Sequence, residues 1–242
     1  MKEIEDILKE LKSKIKINRF EQLSPADCLL VYENVKQNSL DHLVIADILA
    51  QKRKYGSAIT HTVLASEEMT KALILYVNGI GIRLSNIKGF KNFFYRHTPR
   101  HKLANFMLFF NLFLKPLNEL FRNFRNNNNI DKEGINSLLN KHKTIFEDTM
   151  DDIEWWTYAD TLKNKGLYVD YKNKIISPAD LKEDDFKLAL KTVGNYVIFC
   201  ENLLSTLLQL DEQTLNSFRK ISMTQQFKEQ LESIFSNCIS KD

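Results

Sequence analysis

The chain has 242 residues, of which 43% are hydrophobic and 11% aromatic, enough to bury a substantial core in one domain or two small ones. Its 7 glycines and 4 prolines favour long helices over many short strands. The net charge of +3 permits RNA or an acidic partner without requiring either. The widely spaced Cys28, Cys200 and Cys238 show no metal-binding or disulfide spacing, which favours a reducing cytoplasm.

The first 17 residues mix both charge signs with regular apolar spacing. This pattern predicts an amphipathic helix rather than a secretion signal, and no run in the chain approaches the roughly 18 uninterrupted apolar residues of a membrane span. Ser24-Pro25 is a good helix start, with serine as the N-cap and proline in the first turn. Ser39 is predicted to begin a further helix. The basic residues 52–54 follow, and whether the helices on either side merge is left open.

The stretch from Tyr55 to Tyr76 is predicted to be the central helix. A second stripe beside its main one places Glu68 at the edge of the buried face, where a carboxylate needs a partner or a shifted pKa. The neighbouring Glu67 is interpreted as forming an exposed i,i+4 pair with Lys71. The main stripe has small members that would let another helix approach closely. It consists of Tyr55, Ala58, Thr62, Ala65, Met69, Ala72 and Tyr76.

Beyond the central helix, which should end near Gly79 to Gly81, the pattern stays helical. Gly166 suits a helix C-cap, and the residues around Lys172-Asn173 predict a small β-hairpin. The whole is predicted to be a single all-α domain over residues 1–242, a helical bundle with a small hairpin or loop insertion near 166–178. The remaining segments, in order, are a loop or short helix at 82–100, a buried helix at 103–124 kinked by Pro116, a polar turn at 126–129, a helical pattern at 131–163, a helix at 184–210 and shorter helices at 211–238.

The residues that favour chemistry lie together in the segment Arg96-His97-Thr98-Pro99-Arg100-His101. Histidine can take a proton from a 2′-hydroxyl or give one to a leaving oxygen, and arginine can stabilise charge on a phosphate. This inventory suits metal-independent RNA cleavage. The spacing alone is equally compatible with a solvated basic loop. A metal site at His97 and His101 is disfavoured because Pro99 lies between them.

Three segments resemble one known family. They are similar to HEPN-superfamily proteins and, more specifically, to the AbiV-type abortive-infection family. The resemblance covers about residues 40–210, with extra helices expected at 1–24 and 211–242. The segments are 55–72, with its paired glutamates and lysine; 94–102, with the arginines and histidines; and 162–178, with Gly166, Tyr168 and Asp170.

The resemblance implies an all-helical HEPN fold, usually dimeric, acting in the cytoplasm in bacterial defence against phage. Many such proteins are RNases that need no metal or other cofactor. By that analogy Arg96 would stabilise the phosphate and His101 would act as general base or acid. His97 would be the intervening polar residue, and Glu68 would orient the arginine or histidine. Substrate contacts are expected from Arg100, Lys102, Lys71 and Tyr95, and family-motif roles from Glu67, Gly166, Tyr168 and Asp170.

Three functions remain open at this point. The first is an RNase effector, a dimer released by a phage-encoded activator. The second is a non-catalytic toxin or regulator that binds a phage protein or a host translation partner. The third is a helical scaffold without chemistry. The sequence expectation that separates them is spatial: Glu68, Arg96 and His101 should converge if the chain cleaves RNA.

Overall fold

The structure, a computed structural model, describes residues 19–82, 84, 88, 90–108, 153–171, 175–226, 228–229 and 232–233. Within these ranges the chain is helical apart from turns and one two-stranded hairpin, so the predicted all-α class is confirmed. The predicted helix at 1–17, the proline kink at residue 116 and the polar turn at 126–129 lie outside the described residues. A single domain spanning the whole chain stays a prediction.

The first long helix, α1, spans Pro25–Gln51. As predicted, Ser24 caps it, with its hydroxyl accepting the Asp27 N–H at 3.2 Å and Pro25 in the first turn. The prediction that Ser39 begins a separate helix is wrong, because α1 runs straight through it. Ser39 is fully buried, and its hydroxyl donates to the Ala65 carbonyl at 2.6 Å. A serine whose hydroxyl bonds a carbonyl of a neighbouring helix can lie in the middle of a helix instead of capping one.

Helix α2, Tyr55–Gly79, follows after a sharp turn, so the two helices do not merge. Arg53 adopts a left-handed conformation with φ of 56°, and the Lys54 N–H donates back to the Leu49 carbonyl at 2.9 Å. This arrangement satisfies a terminal carbonyl of α1 and reverses the chain. The predicted end of α2 near Gly79 to Gly81 is confirmed, with Gly81 at φ of 89°.

The remaining elements complete the bundle around α2. The hairpin pairs Asp170 with Ile176 and Tyr171 with Ile175, as the residues around 172–173 predicted. The elements are 3₁₀ turns at Phe20–Gln22 and Pro178–Asp180; a helical turn at Asn92–Tyr95; α3 at 97–108; α4 at 153–167; β1, Asp170–Tyr171; β2, Ile175–Ile176; α5, Glu183–Leu208; and α6, Glu212–Ser222. Among the described helices, none has both the length and the apolarity that crossing a membrane requires.

Helix α2 is the centre of the fold. The alanines of its predicted stripe, Ala58, Ala65 and Ala72, are completely buried, which lets neighbouring helices approach closely. Side-chain hydrogen bonds tie α2 to three other helices. Besides the Ser39 bond from α1, Thr70 shares a 2.8 Å bond with the Tyr196 hydroxyl of α5, and Thr60 donates to the Lys163 carbonyl of α4 at 3.0 Å. These bonds fix the rotation of α2, and so decide which of its polar side chains face the interior.

Candidate functional site

The segment at 92–101 folds into two short helical pieces joined by Arg96. The turn Asn92–Tyr95 ends at Arg96, whose backbone is extended, and α3 begins at the next residue. Pro99 fits inside the first turn of α3 because N–H groups there have no partner within the helix. The Arg100 guanidinium reaches back to the carbonyls of Phe93 and Phe94, at 3.1 and 3.2 Å. It thereby holds the two pieces at a fixed angle.

A single buried carboxylate, that of Glu67 in the middle of α2, gathers the polar side chains of this segment. Its side chain is 1% exposed. Oε2 contacts His97 Nδ1 at 2.5 Å and accepts a hydrogen bond from Arg100 Nη2 at 2.7 Å. Oε1 lies 3.1 Å from His101 Nε2 and accepts a bond from Lys163 Nζ at 3.0 Å. We call these five residues the Glu67 cluster.

The cluster keeps Glu67 ionised despite its burial. Burial alone would raise the pKa of this carboxyl. Hydrogen bonds from His101 and His97, together with the charge of Arg100, outweigh that effect and hold the pKa of Glu67 well below its usual range. A carboxylate can only accept hydrogen bonds, so His101 donates to it from Nε2. His97 Nδ1 has two polar neighbours: Glu67 Oε2, which can only accept, and Arg100 Nη2, which lies 2.8 Å away and can only donate. Because this Arg100 nitrogen already donates to Glu67 Oε2 at 2.7 Å, we assign the hydrogen of His97 to Nδ1 and its lone pair to Nε2.

The two histidines of the cluster differ in access to solvent. The side chain of His97 is 48% exposed, whereas that of His101 is 6% exposed. The ring of His101 lies against Trp156, with centroids 5.8 Å apart, and Trp156 packs edge-on against Tyr196. A substrate approaching from solvent would meet His97 first.

Lys163 of α4 is the member of the cluster that sequence reasoning missed. Its ammonium bridges Glu67 Oε1 at 3.0 Å and Asp160 Oδ1 at 2.9 Å, and its side chain is 4% exposed. The sequence does contain a pattern that indicates burial of Lys163. Trp156, Ala159, Lys163 and Gly166 recur at steps of three or four residues and are all buried, so the lysine sits within an otherwise apolar helical stripe.

Gly166 explains how Lys163 comes so near α2. A Cβ at Gly166 would lie 2.2 Å from the Gly56 carbonyl oxygen and 2.5 Å from Thr60 Oγ1, so only glycine lets the two helices meet there. Gly56 is tight in turn, because its own Cβ would lie 2.5 Å from the Pro178 carbonyl oxygen. The prediction of Gly166 as a C-cap is wrong. The residue lies inside the last turn of α4, and it serves close packing.

Two members of the Glu67 cluster, Glu67 and His101, and the neighbouring Asp160 place three possible ligand atoms within 4.8 Å of one another, which is the chemistry of a metal site. The Lys163 ammonium already bridges the two carboxylates of this group. Because a bound ammonium supplies the positive charge that a metal ion would bring, this arrangement favours a metal-free cluster.

Several predicted site residues lie elsewhere. Glu68 does not join the cluster; it pairs with Lys71 at 2.5 Å, both side chains being about 15% exposed. The predicted exposed pair of Glu67 and Lys71 is wrong, because Glu67 faces inward and Lys71 bonds the adjacent glutamate. The predicted convergence of Glu68, Arg96 and His101 is therefore wrong: the carboxylate that contacts His101 is Glu67, and the arginine that contacts Glu67 is Arg100. Of the other predicted residues, Arg96, Tyr95, Tyr168 and Asp170 are exposed and Lys102 is partly buried.

An all-α domain in which an Arg-His segment docks on a carboxylate of the central helix fits the HEPN class that the resemblance implied. A family model described as AbiV, of the HEPN type, matches residues 27–197. This match covers well over half of the chain, so the chain belongs to the AbiV family of HEPN proteins. No curated protein and no solved structure gives a significant match.

Proposed function

We propose that this chain is a metal-independent endoribonuclease of abortive infection. The observation that carries the proposal is the 2.5 Å contact between His97 Nδ1 and Glu67 Oε2. The His97 side chain remains 48% exposed while it makes this contact. A buried carboxylate that receives the Nδ1 hydrogen fixes the orientation and the tautomer of an imidazole, so that its other nitrogen can accept a proton. His97 Nε2 is then a general base that RNA can reach.

The proposed reaction is attack of a ribose 2′-hydroxyl on the adjacent phosphate. His97 removes the hydroxyl proton, the 2′-oxygen forms a bond to phosphorus, and the 5′-oxygen leaves with a proton from a general acid. The products are a 2′,3′-cyclic phosphate and a 5′-hydroxyl. Arg96, exposed beside His97, is the proposed contact for the phosphate charge, since a guanidinium fork matches two phosphate oxygens. Exposed Tyr95 would stack on a base.

The buried members of the cluster act through His97 rather than on the RNA. Arg100 bonds Glu67 and two backbone carbonyls, and Lys163 and His101 hold the other carboxylate oxygen. These are positioning residues in the proposal. His101, the histidine that the family pattern favours for proton transfer, takes that role only if binding of RNA or a partner uncovers it.

A homodimer would supply the missing general acid. One His97 cannot remove and donate a proton in the same step, whereas the His97 of a second copy, protonated, can serve the leaving oxygen. The dimer, RNA as substrate and a phage-encoded activator are further parts of this proposal, suggested by the family resemblance, and the cytoplasm as location is proposed from the cysteine pattern.

Cleavage of tRNA and total RNA by the purified chain in EDTA tests the proposal. We expect the wild type to produce 2′,3′-cyclic phosphate ends. His97→Ala should lower the rate by about 10²–10⁴-fold, the usual contribution of a general acid–base group. His142→Ala, a histidine between two lysines, is the control and should cleave normally. No cleavage by the wild type, or equal cleavage by His97→Ala with its circular dichroism unchanged, would refute the proposal.

A non-catalytic toxin or regulator is the second candidate, and the burial of Arg100 and His101 favours it. These side chains are 3% and 6% exposed and are already bonded within the protein. In that case the cluster shapes a surface that binds a phage protein or a host translation partner. Growth arrest on expression would then survive both Arg96→Ala and His97→Ala, whereas an RNase loses it with His97→Ala.

A further inference from the structure

A pair of histidines outside the Glu67 cluster faces across the seam between α1 and α2. The Nδ1 atoms of His42 and His61 are 3.0 Å apart, and the ring centroids are separated by 5.1 Å with the planes at 46°. Both side chains are partly buried, so the pair is held by the helices and open to solvent at its edge. Neither histidine has a part in the proposed cleavage.

A metal ion binds the neutral form of imidazole, through a ring nitrogen that carries no hydrogen. The Nδ1 atoms of His42 and His61 face each other, so both could bind one ion placed between the two rings. Of the nearby charges, the carboxylate of Glu68 acts most strongly on His42 and would favour an added cation. The charged groups that act on His42 are Glu68, Asp41, Lys71 and Glu67.

We propose that His42 and His61 bind one divalent transition-metal ion of the Zn²⁺ class through their Nδ1 atoms. Zinc–nitrogen bonds of about 2.0–2.1 Å in tetrahedral geometry place two nitrogens roughly 3.3 Å apart, a few tenths of an ångström from the spacing found here. Water completes the coordination at the open edge. The ion would tie α1 to α2 beside the helical turn that carries Glu67 and Glu68.

Two neutral histidines at this distance can instead share one hydrogen, so the site needs a direct binding test. Titration of the untagged full chain with ZnCl₂ at pH 7, followed by calorimetry, should give one ion per chain. His42→Gln and His61→Gln retain polar side chains of similar size and should each weaken binding by at least about tenfold. Loss of an outer-shell partner alone costs 10–100-fold, and these are direct ligands. Zn²⁺ should also raise the Tm of the wild type more than that of either variant.

Asp160→Asn is the matched control, because it removes a ligand from the other group of potential metal-binding residues, Glu67, His101 and Asp160. Binding that is unchanged in Asp160→Asn and weakened in both histidine variants supports the proposal. Three results would overturn it: no saturable binding by the wild type, binding that survives the double histidine variant, or binding lost in Asp160→Asn alone. None of them depends on cleavage of RNA, so the metal site and the RNase proposal succeed or fail separately.

Discussion

Replacement of Glu67 by glutamine tests whether one buried carboxylate holds the cluster together. Glutamine has nearly the same size, but it removes the negative charge and replaces one acceptor oxygen with an NH₂ group. In the wild type both oxygens accept, from His97 and Arg100 on one side and from His101 and Lys163 on the other. Whichever way the amide turns, its NH₂ group will face donors.

The expected loss of stability in Glu67→Gln depends on which partners the buried cations Arg100 and Lys163 retain. Arg100 and Lys163, 3% and 4% exposed, lose their shared counter-charge. Breaking a buried ion pair by removing one partner typically costs about 3–5 kcal/mol. Lys163 retains Asp160, and Arg100 retains the carbonyls of Phe93 and Phe94. We therefore expect Glu67→Gln to lower the free energy of unfolding by an amount near the low end of that range, about 3 kcal/mol.

The adjacent glutamate provides a matched control. Glu68→Gln makes the same chemical change one position along α2, where the carboxylate bonds one cation among the described residues, Lys71. Glu68 is 15% exposed and has this one charged partner, whereas Glu67 is 1% exposed and contacts four donors, so Glu68→Gln should lose less stability. Urea unfolding followed by far-ultraviolet circular dichroism measures both variants against the wild type, with equal m values required for the comparison. The reasoning is refuted if the two variants lose equal stability, or if Glu67→Gln loses less than Glu68→Gln.

Two further predictions concern packing and pH. Gly166→Ala should lower the free energy of unfolding by about 1–3 kcal/mol, because its Cβ would meet the Gly56 carbonyl at 2.2 Å. Gly194→Ala, where a Cβ meets nothing within 4 Å, should instead raise it by about 0.5–1 kcal/mol; urea unfolding that ranks the two the other way contradicts the packing argument. The pKa of Glu67 is depressed on folding, so its stabilisation is complete above the ordinary value of 4.5 and is lost as pH falls below it. Acid titration of stability should therefore be steeper for the wild type than for Glu67→Gln, and parallel curves would count against this assignment.

Much of the fold was predictable because its signals are local. The Ser24-Pro25 start, the end of α2 near Gly79 and the hairpin around residues 172–173 each depend on the chemistry of a few neighbouring residues. Ser39 shows where local signals are not enough to predict a helix boundary. A short polar side chain can cap a helix or bond a carbonyl across a helix seam, and only the position of Ala65 on α2 decides between the two.

The sequence predicted which segment carries the candidate site, but not which residues elsewhere in the chain it contacts. Two arginines and two histidines within 96–101 are unusual enough to be noticed in sequence. The sequence did not reveal which glutamate these residues contact. Glu67 and Glu68 differ by about 100° around the helix, and both have apolar neighbours on their side. Lys163 lies 96 residues from Glu67, and no local pattern connects the two.

By itself, then, the sequence determined the helical class, the start of α1, the bounds of α2 and approximately those of α5, the AbiV resemblance and the short segment that carries the arginines and histidines. Tertiary structure alone decided that Glu67 faces the interior, that Arg100 rather than Arg96 contacts it, and that Lys163 completes the cluster. The physical reason is that periodicity records how often a helix turns, whereas the rotation of that helix is set by the other helices. Here Ser39, Thr60 and Tyr196 fix the rotation of α2, each through a hydrogen bond between residues distant in sequence.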